Sequence, residues 1–240
     1  MADAESSVPK LRKPDDVLAD PADLERDAKF LNHIIANEIS EVRAMIQEGQ
    51  NVNVGDDSSF SAVHLAMRHD SDEILAMLIE AGAYVEHRAG GVTPLVFGIS
   101  LCREKNVSAL IASGKVDLMQ RNEKTGNTLL HEAAWYGHIE MLHLLFETGV
   151  FEDVDQYNGQ GKSALHVASF RGTLPIVQEL VAKGADPNLL EKNGRRISKE
   201  SPEDMARSMG KDENADYLKS LSTTVNAVKF AVKMKKTAAA

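Results

Sequence analysis

Four short stretches of this 240-residue sequence carry residue types that could do chemistry. Gly161-Lys162-Ser163 stands just ahead of an apolar periodic segment, as the end of a phosphate-cradling loop would, with a lysine for phosphate and a hydroxyl for magnesium. That motif needs a further glycine five positions upstream. Gln156 is there, and no apolar strand leads in, so Asn158-Gly159-Gln160-Gly161 reads as the tight turn before a helix. His131-Glu132 opens like the zinc-binding HExxH helix, but the fifth position is Trp135 and no second ligand follows one turn on. Asp153-Val154-Asp155 with Asn158-Gly159 matches a calcium loop only in part. Its glycine comes one place late, and Ala164 stands where the bidentate glutamate belongs. The single Cys102 has no base paired to it by any motif and reads as a small buried thiol. No catalytic residue, metal site or cofactor is assigned.

The elements that would have to position such groups form a periodic array. Gly126 to Gly149, GNTLLHEAAWYGHIEMLHLLFETG, is one unit of it, and the closing glycine recurs as Gly49, Gly82, Gly114 and Gly184 at steps of 33, 32, 35 and 35 residues. A period of about 33 is the mark of stacked repeats. Within each unit a Ser or Thr able to cap a helix precedes a short apolar helix, a break, and a longer amphipathic helix ending at glycine. Neither helix pair can bury its apolar face alone, so stability arises between neighbouring repeats.

The residues in one phase of the period are SAVHLA from Ser61, TPLVFG from Thr93, TLLHEA from Thr128, SALHVA from Ser163 and SPEDMA from Ser201. They resemble the TPLHxA motif of the ankyrin repeat, and Gly184-Ala185-Asp186-Pro187-Asn188 is similar to that family's closing loop. The resemblance covers residues 24–222 and implies an all-α ankyrin-repeat solenoid of helix-turn-helix units joined by short hairpin loops. Repeats are expected at 24–55, 56–87, 88–121, 122–157, 158–191 and 192–222. The first and last are atypical, as caps need to be; Glu25, Arg26, Asp27, Glu38 and Glu41 are expected to make the first one's outer face polar. The third departs most, with Val96 where its neighbours have His64, His131 and His166, and Ser100-Leu101-Cys102 where an inter-helix glycine belongs. The resemblance implies that each of these histidines links adjacent layers by hydrogen bonds. Asn188 is also similar to hairpin asparagines that some ankyrin proteins have hydroxylated; the plain reading is a loop asparagine bonded to its own backbone.

Residues 1–23, with Pro9, Pro14 and Pro21 among charges, are expected to be a flexible arm. Residues 223–240 form a basic tail. Val225, Val228 and Val232 fall on one helical face of it, with Lys229, Lys233 and Lys236 on another. No apolar run approaches the ~20 residues of a membrane span. The start lacks a cationic flank followed by an apolar core, so no secretory signal is read. One cysteine fits a reducing compartment, which makes the cytoplasm the expected location with the nucleus left open. The formal net charge is −9, and it becomes −10 for residues 24–221 once the arm's six acidic and three basic residues and the tail's four lysines are set aside. That sign disfavours nucleic acid, whose binding rests on basic patches, and favours a protein partner with a basic or mixed surface.

In proteins resembling this one, partners contact the hairpin tips and the two residues just before the inter-helix glycine. Here those two are Arg68-His69, Ser100-Leu101, Trp135-Tyr136, Phe170-Arg171 and Ser208-Met209. Trp, Tyr and Arg dominate binding hot spots. The expected site is therefore a groove over repeats two to five, with Arg68 and His69 at one side and Trp135, Tyr136, Phe170 and Arg171 as anchors. Lys124, Asn127, Gln160 and Lys162 would form its polar rim. The function expected is a non-enzymatic protein-interaction module, a scaffold, adaptor or inhibitor, acting as a monomer. A membrane-proximal adaptor, touching lipid only through the basic tail, and a regulatory subunit of an enzyme remain as alternatives.

Overall fold

The computed structural model describes residues 11–13, 20–193, 196–197 and 200–221. The basic tail and most of the N-terminal arm lie outside the described residues. Helices follow one another in pairs: α1 (Pro21–Ile35) and α2 (Ile39–Gln47), α3 (Ala62–Arg68) and α4 (Asp72–Glu80), α5 (Pro94–Ser100) and α6 (Glu104–Ala112), α7 (Leu129–Tyr136) and α8 (Ile139–Glu147), α9 (Ala164–Arg171) and α10 (Leu174–Ala182). α11 (Pro202–Ser208) precedes helical residues 212–221. A two-residue antiparallel pairing of β1 (Lys192–Asn193) with β2 (Arg196–Ile197) is set in the loop before α11 and leaves the architecture helical.

The first helix of each pair starts where the sequence supplies a cap. Asp20 accepts the Ala22 N–H at 2.8 Å ahead of Pro21, whose missing N–H costs nothing in a first turn. Ser61, Thr128 and Ser163 each form a reciprocal capping pair with the histidine three residues on, and Ser201 does so with Asp204. Between the two helices of a pair the chain reverses through one left-handed residue. That residue is glycine at 137, 172 and 210, but Asn37, Asp70 and Cys102 in the first three pairs, with Cys102 at φ +56°. The thiol expected to be a plain buried group is half-buried, and its backbone sits where a Cβ is disfavoured by about 1 kcal/mol.

The chain divides into two compact units, residues 1–124 and 125–240. In the first, α1, α3 and α5 pack in one row and α2, α4 and α6 in another. Leu65, Ile74, Leu75, Leu78, Ile99 and Leu110 are fully enclosed between the rows. In the second unit, α7, α9 and α11 form one row and α8 packs on α10, around Leu130, Met141, Leu142, Leu145, Leu165, Ile176 and Leu180. Each such side chain contributes about 1.5–3 kcal/mol by leaving water. Gly161 shows how tightly adjacent loops approach: its φ is +75°, its carbonyl accepts the Lys192 N–H at 2.8 Å, and a Cβ there would collide with the Lys192 carbonyl.

Two expectations at the N-terminal end are corrected. Arg12 lies in the stretch read as a flexible arm, yet its N–H donates to Asn53 and its carbonyl accepts from Gly55, both at 3.0 Å. Its guanidinium pairs with Asp23 at 2.7 Å and with Asp27. Asp27, expected on the polar outer face, is consequently buried, and it also accepts from Gln50 at 2.7 Å. A buried carboxylate needs such partners, and Arg12, which the periodicity could not place, provides the main one.

Candidate functional site

The stretches that could have done chemistry are used otherwise. At Asn158–Lys162 the Asn158 side chain accepts the N–H groups of Gln160 and Lys162 at 2.9 and 3.0 Å, which closes a turn, and Ser163 caps α9. The Lys162 ammonium pairs at 3.3 Å with the buried Glu191. The Asp155 carboxylate accepts the Asp186 N–H at 3.1 Å, and burial, reinforced by Asp186 and Asp153, raises its pKa. Among the described residues no group of three His, Cys, Asp or Glu side chains could hold a metal ion. No described helix is long and apolar enough to cross a membrane.

The three in-phase histidines link successive layers, as the resemblance implies. Nε2 of His64 is 3.1 Å from the Val92 carbonyl, that of His131 is 2.8 Å from the Lys162 carbonyl, and that of His166 is 3.4 Å from the Glu200 carbonyl. In each ring Nδ1 accepts the N–H of the capping Ser or Thr, so Nε2 carries the proton that is donated to the carbonyl. Burial pushes the His64 pKa down to about 4 and that of His166 down as well. Val96 breaks this chain of links. In its layer the Thr93 hydroxyl donates instead to Gln120 Oε1 at 2.6 Å.

Seven of the ten residues singled out from the sequence lie in the second unit, and five of them are neighbours in space or in sequence. Trp135 and Tyr136 end α7 on its outward side, 39% and 43% exposed, because Ala133 and Ala134 occupy the inward positions. Phe170 ends α9 in the same phase, and its ring stacks on Trp135 with centroids 6.3 Å apart and planes within 11°. Arg171 lies with its guanidinium carbon 4.4 Å over the indole and donates from Nε to the Trp135 carbonyl at 3.0 Å. Lys162 comes within 5.8 Å of the Phe170 ring. The rings thus pack across adjacent helices while keeping part of their faces open to solvent. Packing and exposure coexist.

The polar rim is corrected at one position. Asn127 is buried, 8% exposed, donating to Glu132 Oε1 at 3.2 Å and accepting from Asn158 Nδ2 at 2.8 Å. Glu132 is itself only 4% exposed, and a carboxylate out of water draws the nearest amide donor inward. Gln160 is exposed. In the first unit, Arg68, His69 and Lys124 are all exposed. Arg68 lies 4.5 Å over the ring of Phe60 and 5.8 Å from that of Phe97, and the two rings meet at 5.3 Å. Neither phenylalanine stood out in the sequence. Phe60 falls in the turn and Phe97 within a helix, so aligning the repeats never pairs them.

Comparison with known proteins falls on the same architecture. Residues 100–191 match the family described as ankyrin repeats (3 copies). The nuclear factor NF-kappa-B p105 subunit of Gallus gallus is 29% identical over 160 residues, 65% of this chain and 16% of that protein. The B-cell lymphoma 3 protein homolog of Mus musculus is 31% identical over 153 residues, 62% of this chain and 34% of that protein. The chain therefore spans about a third or less of the length of these curated relatives. The crystal structure of the ankyrin repeat domain of Bcl-3, described as a member of the IkappaB protein family, superposes with a TM-score of 0.67 at 29% identity, over 79% of this chain and 81% of that one.

Proposed function

Because the chain belongs to the ankyrin-repeat family, a fold of protein-interaction modules, we propose that it is a non-enzymatic scaffold, adaptor or inhibitor that holds a protein partner. The surface that holds it is the outward end of α7 and α9, anchored by Trp135, Tyr136, Phe170 and Arg171. One observation carries this reading. The only tryptophan of the chain is stacked between helices yet left 39% exposed, in contact with a phenylalanine and an arginine. Residues of these types, pre-ordered by neighbours, dominate interface energetics, because little conformational entropy remains to be lost on binding. Gln160 at the hairpin tip extends the surface with an exposed amide. Arg68, His69 and Lys124, all exposed on the first unit, are proposed as further contact residues.

The mechanism is steric and affinity-based, with the chain acting as a monomer. The net charge of −9 supports a partner of basic or mixed surface charge, since long-range attraction speeds encounter. A reducing compartment, cytoplasm or nucleus, belongs to the same proposal and rests on the single cysteine. Affinity capture from native extract tests it, with wild type beside the Trp135→Ala/Phe170→Ala double variant and quantitative mass spectrometry as the readout. The expected result is selective loss of a small set of proteins from a variant that keeps its far-UV circular dichroism. An identical set on both baits would move the site elsewhere on the chain.

A further inference from the structure

The interaction surface of the second unit differs in charge from the chain that carries it. Residues 133–138, 168–173 and 206–211, the ends of α7, α9 and α11 and the turns after them, contain Arg171, Arg207 and Lys211 and no Asp or Glu. The chain as a whole carries −9. Arg207 is held by Glu203 at 3.0 Å and Asp216 at 3.4 Å, and contributes no net charge to this edge. Arg171 is not neutralised. Its Nε is used on the Trp135 carbonyl, its plane lies over the indole, and among the described residues no carboxylate lies within ion-pairing distance of it or of Lys211.

Lys211 adjoins the same surface. Its stem crosses Gly172, the residue after Arg171, with the ammonium 2.8 Å from where a Cβ of residue 172 would stand. The missing side chain is what lets the second cation approach. The first unit offers the contrast. Arg103 there also donates to the end of a first helix, to the Arg68 carbonyl at the end of α3 at 3.1 Å, but it is paired with Asp70 at 3.4 Å. A guanidinium fork resting on an aromatic face, with its two terminal amino groups unused among the described residues, is shaped to receive a carboxylate in a bidentate bond.

Resting on the reading of this surface as the partner site, we propose that it takes an acidic segment of the partner protein. An apolar or aromatic side chain of that segment lies on Trp135 and Phe170, and an Asp or Glu beside it accepts hydrogen bonds from Arg171 and is drawn by Lys211. The partner as a whole has a mixed surface, its basic part meeting the acidic remainder of the chain and its acidic segment seated at this edge. Charge complementarity thus sets register as well as affinity.

The test is selection of a random-peptide phage library on the full chain, with each recovered peptide re-measured on Trp135→Ala/Phe170→Ala and on Arg171→Glu, a charge reversal at an exposed residue. The expected peptides depend on Trp135 and Phe170, carry Asp or Glu next to an apolar residue, and lose at least about tenfold in affinity on Arg171→Glu. Replacing their acidic residue by Lys should recover affinity for Arg171→Glu and lower it for wild type. A Lys211→Glu variant gives the same test with a second cation, and circular dichroism of each variant checks that it is folded. Peptides that need Trp135 and Phe170 but are neutral or basic, or are indifferent to Arg171→Glu, would overturn the acidic segment while leaving the site in place. Failure to recover any peptide that depends on Trp135 and Phe170 would overturn both.

Discussion

Each unit of this protein packs a guanidinium against an aromatic cluster, and the two versions differ in what is left over. In the first unit Arg68 covers Phe60 and Phe97, both half-buried, and Phe60 also meets His64 edge-on at 5.4 Å. Arg103 beside them is neutralised by Asp70. In the second, Trp135 and Tyr136 stay well exposed, and Arg171 has no carboxylate partner among the described residues. The same device therefore closes a layer in one place and leaves exposed rings and a cation unpaired among the described residues in the other. If the second cluster is the partner surface proposed above, exposure and unspent charge, not residue type alone, separate packing from recognition.

The largest effect expected in testing this contrast comes from pH. His64 is neutral and folded into its layer with a pKa of about 4, against 6.5 for an ordinary histidine. Its contribution is complete above about 6.5 and declines as pH falls from there toward 4, a loss of about 3 kcal/mol over that window. Urea denaturation at pH 7 and pH 4 should show it, and NMR titration should find the His64 ring still neutral near pH 5. Protonation of that ring near 6.5 would contradict the account.

Next comes Phe97→Ala, which removes a half-buried ring from the first-unit cluster and should cost about 2–3 kcal/mol of stability while weakening partner binding less than Trp135→Ala does. Trp135→Ala reverses the pattern, with about 2 kcal/mol lost in binding and about 1 kcal/mol in stability, since only the stacking is given up within the fold. If both substitutions acted alike on stability and binding, the distinction between the two clusters would fail. Smallest are the backbone changes at equivalent turns. Gly137→Ala forces a Cβ onto φ +81° and should destabilise by about 1 kcal/mol, whereas Cys102→Gly relieves φ +56° and should stabilise by up to about 1 kcal/mol.

Much of the fold was legible because each repeat states its helix starts locally. Ser61, Thr93, Thr128, Ser163 and Ser201 sit where caps form, and the histidine links follow from their common phase. What the sequence could not reveal are contacts that cross phases. Arg12 reaching Asp27 from outside the repeats is one, and Phe60 meeting Phe97 is another. Asn127 was misplaced for a related reason: hairpin position suggested a rim, but the neighbouring Glu132 is buried and recruits it. Cys102 follows the opposite logic, since the period demanded a left-handed residue and the chain met the demand without glycine. Of the proposed site, Trp135, Phe170 and Arg171 were singled out by composition and phase, whereas the acid-free edge they share with Lys211 emerges only once Gly172 is seen to admit that lysine.

Trp135 is the single tryptophan, so its fluorescence reports on one place alone. Titration of the folded chain with a captured partner, followed by tryptophan emission and acrylamide quenching, tests the central claim most directly. Binding at the proposed surface predicts a saturable blue shift and reduced quenching. Saturable binding of that partner, seen by an independent method, with emission and quenching of Trp135 unchanged would contradict it.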